Sequence, residues 1–351
     1  MEQWEDGNLR AGQAKVTVVG GAGYIGSVLT HHLLERGYYV RVLDRCFFGV
    51  EPLGRCKLFG DRFELRIVDT RDIEAGDLNG TEAVVDLAGL SNDPSCALDD
   101  GLTHSINVDG GTRVLEAAQE AGVRRFVYQS SCSVYGSAGE ELIDENSILA
   151  PVSDYSRSKV EMEERVLKAQ GPDFEAVVTR PGTVFGLSPR MRFDLIINTM
   201  TLAAVQDRKV FVHGGGSQWR PLVHVKDAAN AIQLVLEAPA AVVNGRIFNV
   251  GDEKSNLRVS EIAQTVAGLI EGTEIVTLSE STDPRNYRCN FTRVRNELGF
   301  RTKVTPANAV TEIAKALAEG AVDTGVRTRT VDFYRQLLDS AAGSNRGDRT
   351  L

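Results

Sequence analysis

Tyr155 and Lys159 stand four residues apart in Tyr155-Ser156-Arg157-Ser158-Lys159. On a helix that spacing puts both side chains on one face. An ammonium beside a phenol favours the phenolate and lowers the phenol pKa. A tyrosine tuned this way can take a proton from a hydroxyl near neutral pH and later return it. A Tyr-x-x-x-Lys alone is a weak signal, because many surface helices carry one. Its weight here comes from what precedes it, a glycine-rich loop and then Ser131.

The loop is Gly20-Gly21-Ala22-Gly23-Tyr24-Ile25-Gly26. A β-branched run, Lys15-Val16-Thr17-Val18-Val19, leads into it. Ile25, Val28, Leu29, Leu33 and Leu34 then recur at helical spacing as far as Gly37. The order is strand, turn, helix. Gly20, Gly23 and Gly26 suit a dinucleotide site. The first allows a tight turn, the second a close approach to a pyrophosphate, the third helix packing on the sheet. The helix N-terminus offers unpaired N–H groups to the phosphates. A second strand, Tyr39 to Leu43, ends at Asp44. A carboxylate there accepts hydrogen bonds from ribose hydroxyls and repels a 2′-phosphate, which favours NAD over NADP. Arg45 follows and keeps NADP open, since a guanidinium can hold that phosphate.

These elements need a sheet to position them. Apolar strands at 63–68, 83–87, 125–129 and 174–179 alternate with helical patterns, including amphipathic helices at 108–121 and 155–168. The alternation predicts a parallel sheet with right-handed crossovers. Notable residues recur just after strands. Asp69-Thr70 follows the third, Ala88-Gly89 the fourth, Ser130-Ser131 the fifth and Arg180-Pro181-Gly182 the sixth. Ligands of open parallel sheets bind outside that edge.

The 351 residues suffice for one large domain, or one with a smaller cap. A net charge of −9 without a basic run argues against a nucleic-acid surface. It leaves room for an anionic small molecule. Five cysteines without framework spacing read as reduced thiols, so a cytoplasmic location is expected. The five histidines form no metal-ligand cluster, and no apolar run is long enough to span a membrane. Residues 1–14 lack an apolar signal core, so export is not expected. Both 1–14 and 341–351 are expected to be flexible tails.

With these motifs assembled, the chain resembles the extended short-chain dehydrogenase/reductase family, in its NAD-dependent epimerase/dehydratase group acting on nucleotide sugars. The resemblance covers about residues 15–335. It is carried by Gly20 to Gly26, Asp69-Thr70-Arg71-Asp72, Leu87-Ala88-Gly89, Asn107 to Thr112, Ser130 to Gly136, Tyr155 to Lys159, Arg180 to Gly186 and Arg220 to Val225. It implies a doubly wound Rossmann sheet with a smaller C-terminal substrate-binding α/β lobe. The NAD domain would span 15–181 with returning segments near 210–250, and the lobe mainly 182–335.

The resemblance also implies roles. Tyr155 is the acid/base. Lys159 holds the nicotinamide ribose and depresses the Tyr155 pKa. Ser131 hydrogen-bonds the reacting sugar hydroxyl or carbonyl. Asp69 and Thr70 border the adenine, and Leu87, Ala88 and Gly89 pass behind the cofactor. Asn107 supports the active-site backbone, as a structural rather than catalytic residue. Tyr24, Ile25, Ser130, Pro181 and Thr183 complete the NAD contacts. Ser131, Cys132, Ser133, Thr183, Asn198, Arg220 and Arg285 would meet a nucleotide-diphosphate sugar. A homodimer through helices 108–121 and 155–168 is implied as well.

Two departures matter. The epimerase pattern has an arginine three residues before Asp283, where this chain has Glu280. Arg285 or Arg288 is left to supply that charge. The 4,6-dehydratases carry Thr-Asp-Glu where this chain has Ser131-Cys132-Ser133. Without that carboxyl pair, 4,6-dehydration is disfavoured. Cys132 reads as a small buried residue in preference to a proton donor. The resemblance favours epimerisation at C4 through a transient 4-keto sugar. A one-way ketoreductase or dehydrogenase using the same residues is the alternative. A non-catalytic dinucleotide binder ranks below both, because Ser131, Tyr155 and Lys159 are all present.

Overall fold

The computed structural model describes Leu9, Gly12, residues 14–279 and residues 283–342. Glu280 and most of the two expected tails fall outside them. Within the tails, Leu9 and Ala14 are buried, and Gly12 N donates to Gly37 O at 3.1 Å. Ala341 and Ala342 end a helix, Thr330–Ala342.

The chain builds one seven-stranded sheet from β1 (Lys15–Val19), β2 (Tyr39–Asp44), β3 (Phe63–Ile67), β4 (Ala83–Asp86), β5 (Arg125–Gln129), β6 (Glu175–Pro181) and β7 (Arg246–Val250). The order is β3-β2-β1-β4-β5-β6-β7, all parallel. Strands of such a sheet are covered on both faces, which explains their near-continuous apolar runs. Alternate residues enter opposite cores. Val85 and Val177 pack with Leu29, Leu33, Ile232 and Val235. Val84 and Val178 pack with Val114, Met162 and Val166. The direction in which successive strands are added reverses between β1 and β4, and a crevice opens at that switch point.

The helix Asp154–Lys168 carries Tyr155 in its first turn. Ser153 and Ser156 fix that turn reciprocally. Ser153 Oγ accepts from Ser156 N at 3.2 Å, and Ser156 Oγ accepts from Ser153 N at 3.0 Å. The helix expected at 108–121 begins differently, as a π-helical turn, Ser105–Gly110, before the α-helix Gly111–Glu120. Such turns gather at functional sites, and this one places Asn107.

After β6 the chain leaves the sheet. Strands Thr183–Phe185, Trp219–His224 and Asn256–Arg258 form a small sheet. Helices Ile196–Asp207, Val259–Leu269 and Pro306–Ala318 pack around it on a core of Phe185, Ile197, Leu222, Ile262 and Val266. The return to the large sheet is the helix Val225–Glu237 and β7, so it starts later than the expected position near 210. Lys209–His213 pairs instead with Glu274–Leu278, away from the large sheet. Among the described residues no helix is long and apolar enough to cross a membrane, and no His/Cys/Asp/Glu group is arranged to hold a metal.

Candidate active site

A cleft of about 820 Å³ runs along the carboxyl edge of the sheet. The glycine loop forms its floor. Gly20 has φ +79°, and a Cβ there would sit 2.9 Å from Ala88 N. A Cβ on Gly26 would lie 2.1 Å from Gly20 O, so only glycine lets the helix start against the turn. Asp44 ties β2 to this loop. Its Oδ2 accepts from Ala22 N at 2.9 Å and its Oδ1 from Cys46 N at 2.6 Å. Burial pushes its pKa up, and those two N–H groups partly offset the effect.

Arg45 turns to Asp69, with Nη1 2.7 Å from Oδ2. Arg71 grips the same carboxylate through Nε to Oδ1 at 2.8 Å and Nη2 to Oδ2 at 2.7 Å. Burial alone would raise the Asp69 pKa, but Arg71 and Arg45 outweigh it and hold the carboxyl well below its usual range. Asp44 thus lines the cleft while Arg45 is engaged with Asp69, an arrangement that suits NAD. Ser130 Oγ and Ser133 Oγ are buried and have no hydrogen-bond partner among the described residues, and both residues line the cleft. The glycine cradle and these polar atoms fit a dinucleotide.

Ser131, Tyr155 and Lys159 meet on one wall. Ser131 caps the short turn Cys132–Tyr135, its Oγ accepting from Ser133 N at 3.1 Å. The Ser131 hydroxyl also favours the Tyr155 phenolate and so lowers the phenol pKa. Lys159 Nζ donates to Gln129 O at 2.9 Å and lies 4.7 Å from the Tyr128 ring centre. Beneath it, buried Asp86 ends β4, with Oδ1 accepting from Ala88 N at 3.1 Å. Burial pushes the Asp86 pKa up to about 6 against the pull of Lys159. Burial likewise lowers the Lys159 pKa against the pull of Asp86. Desolvation therefore dominates this pair in both members.

The expected depression of the Tyr155 pKa is not what the geometry produces. Burial, reinforced by the Asp93 charge, pushes the phenol up, while Ser131 and Arg192 only moderate it. The physical reason is separation. Lys159 Nζ is 5.9 Å from the Tyr155 ring centre and is spent on the Gln129 carbonyl.

On the opposite side Arg220 and Arg285 converge on Asp283. Arg220 Nη2 lies 2.7 Å and Arg285 Nη2 2.6 Å from its Oδ2. Arg285 Nη1 also reaches Asp93 Oδ2 at 2.7 Å. Of the two candidates for the missing arginine, Arg285 lines the cleft and Arg288 does not.

Three anticipated contacts are absent from the cleft wall. Cys132 is fully buried and donates to Arg180 O at 3.1 Å, because the turn after Ser131 rotates it into the core. Asn198 is likewise buried. Its Oδ1 accepts from Gly186 N at 2.9 Å and its Nδ2 donates to Tyr24 Oη at 3.1 Å, so it braces the wall from behind. Asn107 pins Leu90 through N to Oδ1 at 2.7 Å and Nδ2 to O at 3.1 Å, and so acts on the loop 88–91 from below. Every other anticipated residue lines the cleft: Gly20, Gly23, Tyr24, Ile25, Gly26, Asp44, Arg45, Asp69, Thr70, Leu87, Ala88, Gly89, Ser130, Ser131, Ser133, Tyr155, Lys159, Pro181, Thr183, Arg220 and Arg285.

The motifs gave no sign of Asp86, buried behind the wall, nor of Phe48, Arg190, Arg192, Asp194 and Tyr334, which line the cleft. The Arg-Met-Arg-Phe-Asp run at 190–194 was the available clue, a dense charge cluster just after a glycine-ended strand. Arg192 grips Asp194 in bidentate fashion, with Nε to Oδ1 and Nη2 to Oδ2 both at 2.9 Å.

The sequence profile described as the NAD-dependent epimerase/dehydratase family matches residues 16–251. The chain belongs to that family. It is an enzyme of the extended short-chain dehydrogenase/reductase type, and its cofactor is NAD. It is 29% identical over 338 residues to a dTDP-glucose 4,6-dehydratase of Streptomyces niveus, covering 92% of this chain and 93% of that protein. It is 28% identical over 311 residues to a UDP-glucose 4-epimerase of Lactobacillus helveticus, covering 82% and 92%. Among solved structures, MoeE5 in complex with UDP-glucuronic acid and NAD superimposes with a TM-score of 0.74 at 25% identity, over 88% of this chain and 100% of that one.

Proposed function

We propose that the protein is a nucleotide-sugar epimerase that inverts C4 through a transient 4-keto sugar. Its relatives include both epimerases and dehydratases, so the site chemistry must choose between them. One observation carries the choice: the turn 131–133 presents only hydroxyls to the cleft, with Cys132 buried behind it. Eliminating water from adjacent carbons needs a base at one carbon and an acid at the next. Inversion of a secondary alcohol needs one proton relay at one carbon. Ser131 and Tyr155 supply one relay.

Bound NAD supplies the two-electron acceptor and donor, and its nicotinamide brings a positive charge that favours the phenolate. The protein does the rest. Ser131 Oγ orients the sugar hydroxyl, Tyr155 Oη takes its proton, and Lys159 holds the ribose side of the site. The keto sugar turns over in the cleft, and Tyr155 Oη returns the proton. Arg220 and Arg285 suit the diphosphate, because guanidinium forks match phosphate oxygens. The cytoplasm is the expected compartment, and a homodimer through the helices Gly111–Glu120 and Asp154–Lys168 is the expected assembly.

The test is NMR of a panel of nucleotide sugars with NAD far below substrate. Conversion of one sugar to a stereoisomer of equal mass supports epimerisation. Turnover only with stoichiometric oxidised or reduced cofactor would replace it with a dehydrogenase or ketoreductase.

A further inference from the structure

Arg190 plays no part in the reaction described above. It lies between the strand Thr183–Phe185 and the helix Ile196–Asp207 and is 5% exposed. Its guanidinium carbon sits 3.6 Å from the Phe48 ring centre, a stacking that fixes the plane of the group. Nη2 donates to Thr330 Oγ1 at 3.0 Å. Nε and Nη1 have no hydrogen-bond partner among the described residues. A buried cation with unused donors is costly unless a ligand brings the acceptors. Burial and the neighbouring Arg192 push its pKa down to about 10, so it stays charged at neutral pH.

Its neighbours identify the ligand. Arg190 feels the charges of Asp44 and Asp194 and lies near the neutral phenols of Tyr24 and Tyr334; Asp194 is itself gripped in bidentate fashion by Arg192. Asp44 marks the ribose anchor, and Tyr24 leaves the glycine turn. Both Asp44 oxygens already accept backbone N–H groups, so Arg190 is not consumed there. Between ribose and glycine turn, a dinucleotide carries one anionic group, the pyrophosphate.

We propose that Arg190, held by Phe48 and Thr330, is the counter-charge to the NAD pyrophosphate and clamps it against the glycine turn. The far wall and the C-terminal helix Thr330–Ala342 then become part of the cofactor site. A clamp of this kind slows release and keeps the dinucleotide bound through successive turnovers. The inference rests on NAD as cofactor and not on the sugar reaction.

The experiment is calorimetric titration of the full-length protein with NAD, ADP-ribose and adenosine, with no sugar present. Arg190→Met is expected to weaken NAD and ADP-ribose about tenfold to a hundredfold, the loss of a charge-assisted hydrogen bond. Adenosine, which lacks the pyrophosphate, should bind unchanged. Arg190→Lys should recover part of the loss. Should Arg190→Met not fold, Thr330→Val keeps the cation and removes its tether, and stopped-flow release of NAD should become several-fold faster. Unchanged NAD affinity in Arg190→Met, equal weakening of adenosine and NAD, or unchanged release in Thr330→Val would each overturn the clamp. An absence of sugar turnover would leave these readings intact and count only against the epimerase.

Discussion

Asp86→Asn should make the protein more stable and less active, and the two effects have different pH signatures. Asp86 is 2% exposed, and its folded pKa of about 6 stands above the ordinary 3.8. A carboxyl raised in this way favours the folded state most below pH ~4, and that contribution is gone once the pH passes about 6. The gap of about two pH units corresponds to about 3 kcal/mol. Asparagine carries no charge to desolvate, so above pH ~6 the variant should gain up to about 3 kcal/mol over the parent. Below pH ~4 the two proteins should be alike, because Asp86 is then protonated. Activity should move the other way. Asp86 is the largest influence opposing burial at Lys159. Without it the lysine pKa falls further, and the alkaline limb of the rate profile should shift to lower pH. The acid limb near pH 6 should disappear. Urea unfolding and kcat/KM, each measured from pH 4 to 9, test both halves. A stability difference that does not change across pH 4 to 6 would refute the burial argument. An unchanged alkaline limb would refute the coupling to Lys159.

Tyr155→Phe should cut kcat by about 10²- to 10⁴-fold, the usual weight of a positioned acid/base, while NAD still binds in calorimetry. Asp44→Ala removes the acceptor of Ala22 N and Cys46 N, so NAD affinity should fall about tenfold and the preference over NADP should shrink in parallel titrations. Glu163→Ala strands the buried Arg180, which it holds through Oε1 to Nε at 2.8 Å and Oε2 to Nη2 at 2.5 Å. That change should cost about 3–5 kcal/mol in denaturant unfolding. Light scattering should show two chains per particle. Neither helix of the expected interface exposes a large apolar side chain, so high salt should favour the monomer, and a monomer at low salt would refute the assembly.

How much of this was legible depended on whether a feature is local. The glycine turn, the strand preceding it and Asp44 lie within one βαβ unit, where spacing and residue type determine geometry. The strand at 83–87 was readable for the same reason, since burial on both faces leaves an unbroken apolar run, and the edge strand at 63–68 was readable from its alternation of apolar and charged residues. Side-chain direction was not readable. Ser131 and Cys132 are adjacent, yet one faces the cleft and the other donates to Arg180 O. The sense of a short turn decides which, and no periodicity encodes it. Asn198 reads as a polar helix residue near a ligand, but its contacts to Tyr24 and Gly186 depend on packing between distant segments. The Arg190–Thr330 contact joins residues 140 apart in sequence. The Lys159–Tyr155 coupling failed for a quantitative reason. Helical spacing puts the two on one face but does not say that a backbone carbonyl will hold the ammonium.

Net charge also misleads about the cleft. The chain carries −9 overall, and Asp69, Asp93, Asp194 and Asp283 all line the site. Each of them is gripped by arginine: Asp69 by Arg45 and Arg71, Asp93 by Arg285, Asp194 by Arg192, and Asp283 by Arg220 and Arg285. The pairing has two consequences. The guanidinium forks are held in fixed positions, so phosphate oxygens meet preorganised donors. The carboxylates are meanwhile committed, and using one as a general base or acid would strand its partner in a poorly solvated cleft. Among the described residues the Tyr155 phenol makes no hydrogen bond to an arginine or lysine, and Ser131 favours its phenolate. A site built this way favours moving one proton at one carbon over drawing water from two, which is why inversion is proposed although relatives of this chain include dehydratases.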